Sequence, residues 1–196
     1  MAKWYRDLPA RRNRWMFDAG LCQPSGTVLC YQQCVRYMLL DRITRLAPPT
    51  TAEGVKCVSL SDDIFEDHFP GHPIMPGALL IEAMAQLGGV LIEACMRERG
   101  RHDLHALLVM SDRARFRKVV RPGDKVLLTT NAVRVNEDGG RVTAVAHVDN
   151  DLVAEAELTF AFATVTHPTL IARRRDVLNV WLYGSVAGDT TASPAP

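Results

Sequence analysis

Between Ala78 and Met96 almost every helical turn is apolar. The polar positions that break the run, Glu82, Gln86 and Glu93, share one narrow stripe with Gly89 at about 100° per residue. The pattern predicts a helix over roughly Pro76 to Arg99. Proline suits a first turn, and Gly100 stands where a C-cap glycine is expected, after Arg97 and Arg99.

Beyond Gly100 the period changes. Residues 105–110, 113–120, 124–135, 141–148 and 152–164 are rich in Val, Leu, Thr and Phe, which suit strands. Turn signals separate the later segments: RPGD at 121–124, EDGG at 137–140 and DND at 149–151. Upstream, Val55–Leu60 alternates like a half-buried strand, and Tyr37–Leu46 is a short apolar stretch ending in charge. One long helix followed by hairpin-linked strands implies an α+β fold. A helix this apolar needs cover on most sides, which an antiparallel sheet curled around it provides.

The flanks read differently. Residues 1 to about 28 form a basic arm interleaved with Trp4, Tyr5, Trp15 and Phe17. That mixture allows membrane or nucleic-acid contact, or a surface arm packed on its own domain; the second is the expectation. From His167 onward RRRDVLNVWLY suits a short amphipathic helix, and GDTTASPAP a disordered tail.

Composition narrows the function. At 196 residues, 47% apolar and 23% charged, the chain is expected to be one soluble domain with extensions. The formal net charge of +1 provides no global field for nucleic acid or an acidic polymer. The apolar run Ala78–Ile92 is interrupted by Glu82 and Gln86, so no membrane span is expected. Cys22, Cys30, Cys34, Cys57 and Cys95 lack the spacing of a disulfide framework, which points to reduced thiols and a cytoplasmic protein. No CxxC pair accompanies the first three, and no metal site is expected.

The chemistry concentrates at residues 68–86, HFPGHPIMPGALLIEAMAQ. Pro70, Pro73 and Pro76 with Gly71 and Gly77 fix an irregular path that holds His68 and His72 on a stiff platform. His72, inside the turn, is expected to face solvent. Gly77 opens the helix, where unpaired N–H groups can hold an oxyanion. Glu82 sits among Leu79, Leu80, Ile81, Ala83, Met84 and Ala85. Two readings stand for it: a desolvated acid with a catalytic task, or a carboxyl capped by Gln86 or by an arginine from a strand.

That string resembles the signature of the (3R)-hydroxyacyl-acyl-carrier-protein dehydratases, FabZ-like enzymes of the hotdog fold. The likeness extends to LLDRI at 39–43, DIFEDHFPG at 63–71, SDRARFRKVVRPGDKVLL at 111–128 and VAEAELTFA at 153–161. The His-to-Glu spacing of fourteen residues is similar to that family's, and Glu at 82 resembles this class and not its isomerase-capable sisters.

The resemblance implies an antiparallel sheet wrapped around a long central helix, over residues 35–166. Residues 1–34 and 167–196 then become extensions. It also implies a homodimer, of a kind that in this family often groups as a trimer of dimers, with His68 of one chain facing Glu82 of the other. His68 would take the C2 proton, Glu82 would serve the departing hydroxyl and the Gly77 N–H would polarise the thioester carbonyl. Gln86, Phe69 and Pro76 would support them. The substrate rides on acyl carrier protein, and no cofactor is used.

Arg113, Arg115, Arg117 and Lys118, followed by Arg121, form a basic run. Strand alternation would put the first three on one face and Lys118 on the other. The run reads equally as a docking site for an acidic carrier or as a solvated sheet face. Two rival functions remain: a hotdog acyl-thioesterase, and a non-catalytic acyl-binding subunit of a synthase.

Overall fold

The structure, a computed structural model, describes residues 37–184. The basic arm, Cys22, Cys30, Cys34 and the segment GDTTASPAP fall partly or wholly outside those residues, and so do the expectations placed on them. The described chain runs β1 (Arg42–Ala47), β2 (Thr51–Cys57), a 3-10 turn (Asp63–Glu66) and α1 (Gly77–Glu98). It continues through β3 (Leu104–Phe116), β4 (Lys125–Val135), β5 (Gly139–Val148), β6 (Asp151–Thr164) and α2 (Pro168–Tyr183).

The six strands form one sheet in the order β1-β2-β4-β5-β6-β3, antiparallel throughout. Strands β4, β5 and β6 alternate over much of their length as a one-faced sheet should. In β6, Val153, Ala154, Ala156, Leu158 and Phe160 are buried, and Glu155 and Glu157 between them are partly exposed. The β4–β5 hairpin is fixed by Asn136, whose Oδ1 accepts from the Asp138 and Gly139 N–H groups at 3.2 and 3.0 Å.

Against the inner face lies α1, touching every strand. By length and composition alone this 22-residue helix could cross a membrane. It is instead the core of the protein: Leu87, Leu91 and Ile92 are fully buried beside Leu128, Val142 and Leu158. Its end follows the predicted design. Gly100 adopts φ +80°, its N–H bonds the Arg97 carbonyl at 2.9 Å, and the Arg101 N–H reaches back to Met96 at 2.9 Å.

Four elements depart from the sequence reading. Tyr37–Leu46 leads into β1, which pairs with β2 and closes one sheet edge. Strand β2 ends at Cys57 instead of reaching Leu60, and it does not alternate. Gly54, Val55 and Lys56 are all buried, the last because its ammonium lies 3.6 Å from Asp41 and 3.9 Å from Asp62. Segment 105–110 and the first part of 113–120 are one strand, β3, which ends at Phe116 and carries irregularities at Leu108/Met110 and Asp112/Arg115. Finally α2 begins at Pro168, earlier than the RRRDVLNVWLY segment, with proline at its first turn and Leu178 and Trp181 buried.

Candidate active site

The 3-10 turn and the proline loop deliver His68. Its N–H donates to the Ile64 carbonyl (3.0 Å), and its own carbonyl accepts from Ile74 (2.9 Å). Phe69 and His72 exchange both backbone bonds at 3.2 and 2.9 Å, and Met75 N–H ties the loop's end to Val120 at 2.9 Å. The loop is therefore closed on itself and anchored to the segment after β3, which is what a stiff platform requires. The His68 ring stacks on Phe69 with centroids 4.5 Å apart. His68 is half-buried, and His72 is exposed, as expected.

Pro76 forms the N-cap and Gly77 the first residue of α1. The Pro76 carbonyl receives Leu79 N–H at 3.0 Å and Leu80 N–H at 3.3 Å, so the Gly77 and Ala78 amides precede the first intrahelical bonds. The ring of Phe116, from the end of β3, lies directly over Gly77: a Cβ there would fall 2.7 Å from two of its carbons. Only glycine lets the aromatic ring approach the helix start this closely.

Glu82 lies further along α1 in a groove of about 270 Å³, floored by Ala85 and Gly89 and walled by Ala106–Leu108 of β3. Its carboxyl is half-buried, and Oε1 accepts a hydrogen bond from Gln86 Nε2 at 3.0 Å. The same Nε2 donates to the Tyr37 carbonyl at 2.9 Å, while Gln86 Oε1 accepts from Leu39 N–H at 3.0 Å. Of the two sequence readings, capping by Gln86 is realised, and it coexists with an open groove beside the acid. Within one chain His68 does not line that groove.

The basic run lies on an irregular part of the chain. Arg113 has φ +51°, at the irregularity between Asp112 and Arg115, and β3 ends at Phe116. The three arginines all meet carboxylates on the outward face of β6: Arg113–Glu157 at 2.7 Å, Arg115–Glu155 at 3.6 Å and Arg117–Glu155 at 2.6 Å. Lys118 meets Asp151 at 2.7 Å. All four cations remain exposed, so these pairs are solvated and their charge stays available. Among the described residues no cluster of three or more His, Cys, Asp or Glu could hold a metal ion.

One further group was not singled out by the sequence. Glu93, 3% exposed, lies eleven positions along the Glu82 stripe and gathers His105 from β3 and Arg174 from α2. Its place on the stripe was visible, but its partners were not, since Arg174 is 81 residues away.

A six-stranded antiparallel sheet wrapped on one long helix, with a groove between helix and edge strand, is a hotdog fold. A chain of the solved dehydratase heterocomplex ApeI:P from Xenorhabdus doucetiae superposes with a TM-score of 0.56. The match covers 69% of this chain and 88% of that one at 18% identity, which speaks for the fold alone. The model of the FabA-like domain matches residues 34–157, and the chain belongs to that family. Its relatives include the 3-hydroxyacyl-(acyl-carrier-protein) dehydratase FabZ of Bacillus velezensis, 44% identical over 125 residues, 64% of this chain and 86% of the relative. The protein of the same name from Caldicellulosiruptor saccharolyticus is 40% identical over 125 residues, 64% of this chain and 87% of its own.

Proposed function

We propose that this protein is a hydro-lyase that converts (3R)-hydroxyacyl thioesters on acyl carrier protein to trans-2-enoyl thioesters in fatty-acid or related acyl-chain synthesis. The observation that carries the reading is Glu82, placed in an acyl-sized groove just past the free amides of the α1 start. The named relatives support the same reaction.

The steps balance with these groups alone. His68 removes the C2 proton, and the Gly77 N–H stabilises charge developing on the thioester oxygen. Glu82 gives its proton to the 3-hydroxyl, which leaves as water as the C2–C3 double bond forms. His68 then returns its proton to the Glu82 carboxylate, directly or through solvent, and the cycle closes.

His68 and Glu82 meet between two copies of the chain. Strand β3 ends the sheet, and its consecutive Leu107, Leu108, Val109 and Met110 are all exposed, as are Phe116 at its end and Phe69 in the loop. Among the described residues this apolar edge has no pairing strand, and such an edge invites a second copy. Such pairing would cover the open side of the Glu82 groove and bring the partner's loop to it. Further grouping as a trimer of dimers belongs to the same proposal. Arg113, Arg115, Arg117 and Lys118 dock the acidic carrier, and the reaction takes place in the cytoplasm.

Mass spectrometry of a 3-hydroxyacyl carrier substrate after incubation tests the reaction. The expected product is lighter by one water, with the thioester intact. Release of free carrier would make the protein a thioesterase, and an unchanged substrate that still binds would make it a non-catalytic subunit.

A further inference from the structure

We infer that Arg174, on α2, determines acyl-chain length by closing the far end of the Glu82 groove. This rests on the dehydratase reading for the direction of the substrate: with the reacting carbons at Glu82, the acyl tail runs along the stripe toward Gly89 and Glu93. Eleven residues of helix separate Glu82 from Glu93, about 16 Å at 1.5 Å per residue.

The groove ends in charge. Glu93 Oε1 accepts from Ala106 N–H at 3.1 Å and from Arg174 Nη2 at 3.2 Å, with His105 Nδ1 at 3.7 Å. Arg97 lies 3.8 Å from Oε2. The Arg174 guanidinium is braced over the Trp181 ring at 5.7 Å. Behind this group lies a second cavity, about 370 Å³, between α1 and the inner face of α2. Glu93, His105 and Arg174 line both spaces and are the wall between them.

Two features make the wall more than an anchor for α2. Glu93 Oε2 and Arg174 Nε are buried without a hydrogen-bond partner among the described residues, an arrangement that an apolar contact between helices would avoid. An alkyl terminus that reaches this point meets buried charge it cannot solvate, so the wall rejects longer chains by more than bulk. In addition, α2 lies beyond residues 34–157, so the limit belongs to this chain and not to the shared domain.

The test uses the full chain as wild type, Arg174→Ala, Arg174→Lys and the double variant Glu93→Gln/Arg174→Ala. The double variant avoids stranding a buried carboxylate if the single one fails to fold. Turnover is measured across 3-hydroxyacyl thioesters from short to long, and affinity across saturated acyl-pantetheine amides of the same lengths. Opening the wall joins the two cavities. The long-to-short ratio of kcat/KM is expected to rise about tenfold or more, the discrimination that one or two methylenes carry in an apolar pocket. Short-chain turnover stays near wild type, and Arg174→Lys keeps the wild-type profile. A folded Ala or double variant with unchanged length dependence in both series would overturn the inference. Wild type inert on every chain would instead overturn the dehydratase reading, and the amide series would still decide the wall.

Discussion

Replacing Gln86 with Met tests how the acid is held. The substitution keeps length and helix propensity but removes an amide that makes three hydrogen bonds, to Tyr37, Leu39 and Glu82, all between 2.9 and 3.0 Å. Two neutral bonds at about 1 kcal/mol each and one to a carboxyl at about 2 kcal/mol give an upper figure of about 4 kcal/mol. Tyr37 is exposed, so water replaces part of what is lost, and a net destabilisation of about 2–3 kcal/mol is expected. Urea unfolding should show this as a lower midpoint at unchanged slope. Freed from its tether, Glu82 also samples other rotamers, so kcat on a short 3-hydroxyacyl thioester should fall about tenfold or more while KM changes little. A variant with wild-type midpoint and wild-type kcat would refute the view that this amide both pins the chain before β1 and aims the acid.

Three other outcomes are expected. Gly77→Ala drives a methyl into the Phe116 ring; because that ring is 54% exposed it swings aside, so kcat falls while the melting temperature barely moves, and unchanged kcat would separate both residues from the reaction. Burial, reinforced by Glu98, pushes the Cys95 thiol above its ordinary pKa and leaves less thiolate at any given pH, so peptide mapping after brief iodoacetamide treatment near neutral pH should find exposed Cys57 alkylated and Cys95 spared. Reversing Arg115 and Arg117 to Glu sets them against Glu155 and should raise KM for the carrier-linked substrate, with a short soluble thioester unaffected; equal effects on both would remove carrier docking from this face.

What the sequence revealed follows from what is local. The period of α1, the turn chemistry at Asn136–Gly139 and the left-handed Gly100 depend on residues within a few positions of each other, and the chain spells them out. Strand β1 was hidden because its six residues alternate poorly, being set by pairing with β2 and by burial of Ile43. The continuity of β3 was hidden by Arg113, whose positive φ absorbs a break that looked like a strand boundary. The residues proposed for the site, His68, Gly77 and Glu82, come from one contiguous stretch. The Gln86 bonds to residues 37–39 and the meeting of Glu93 with Arg174 join segments 47 to 81 residues apart, and no local pattern carries them.

The central claim, a histidine and a carboxyl acid supplied by different copies of the chain, is tested most directly by subunit complementation. His68→Ala and Glu82→Gln are each expected to be folded and nearly inactive. After the two are unfolded together and refolded, half of the dimers are mixed and each mixed dimer holds one intact composite site, so about a quarter of wild-type dehydration should return. If both residues act within a single chain, no mixed dimer contains a complete site, and the refolded mixture would stay as inactive as its parents.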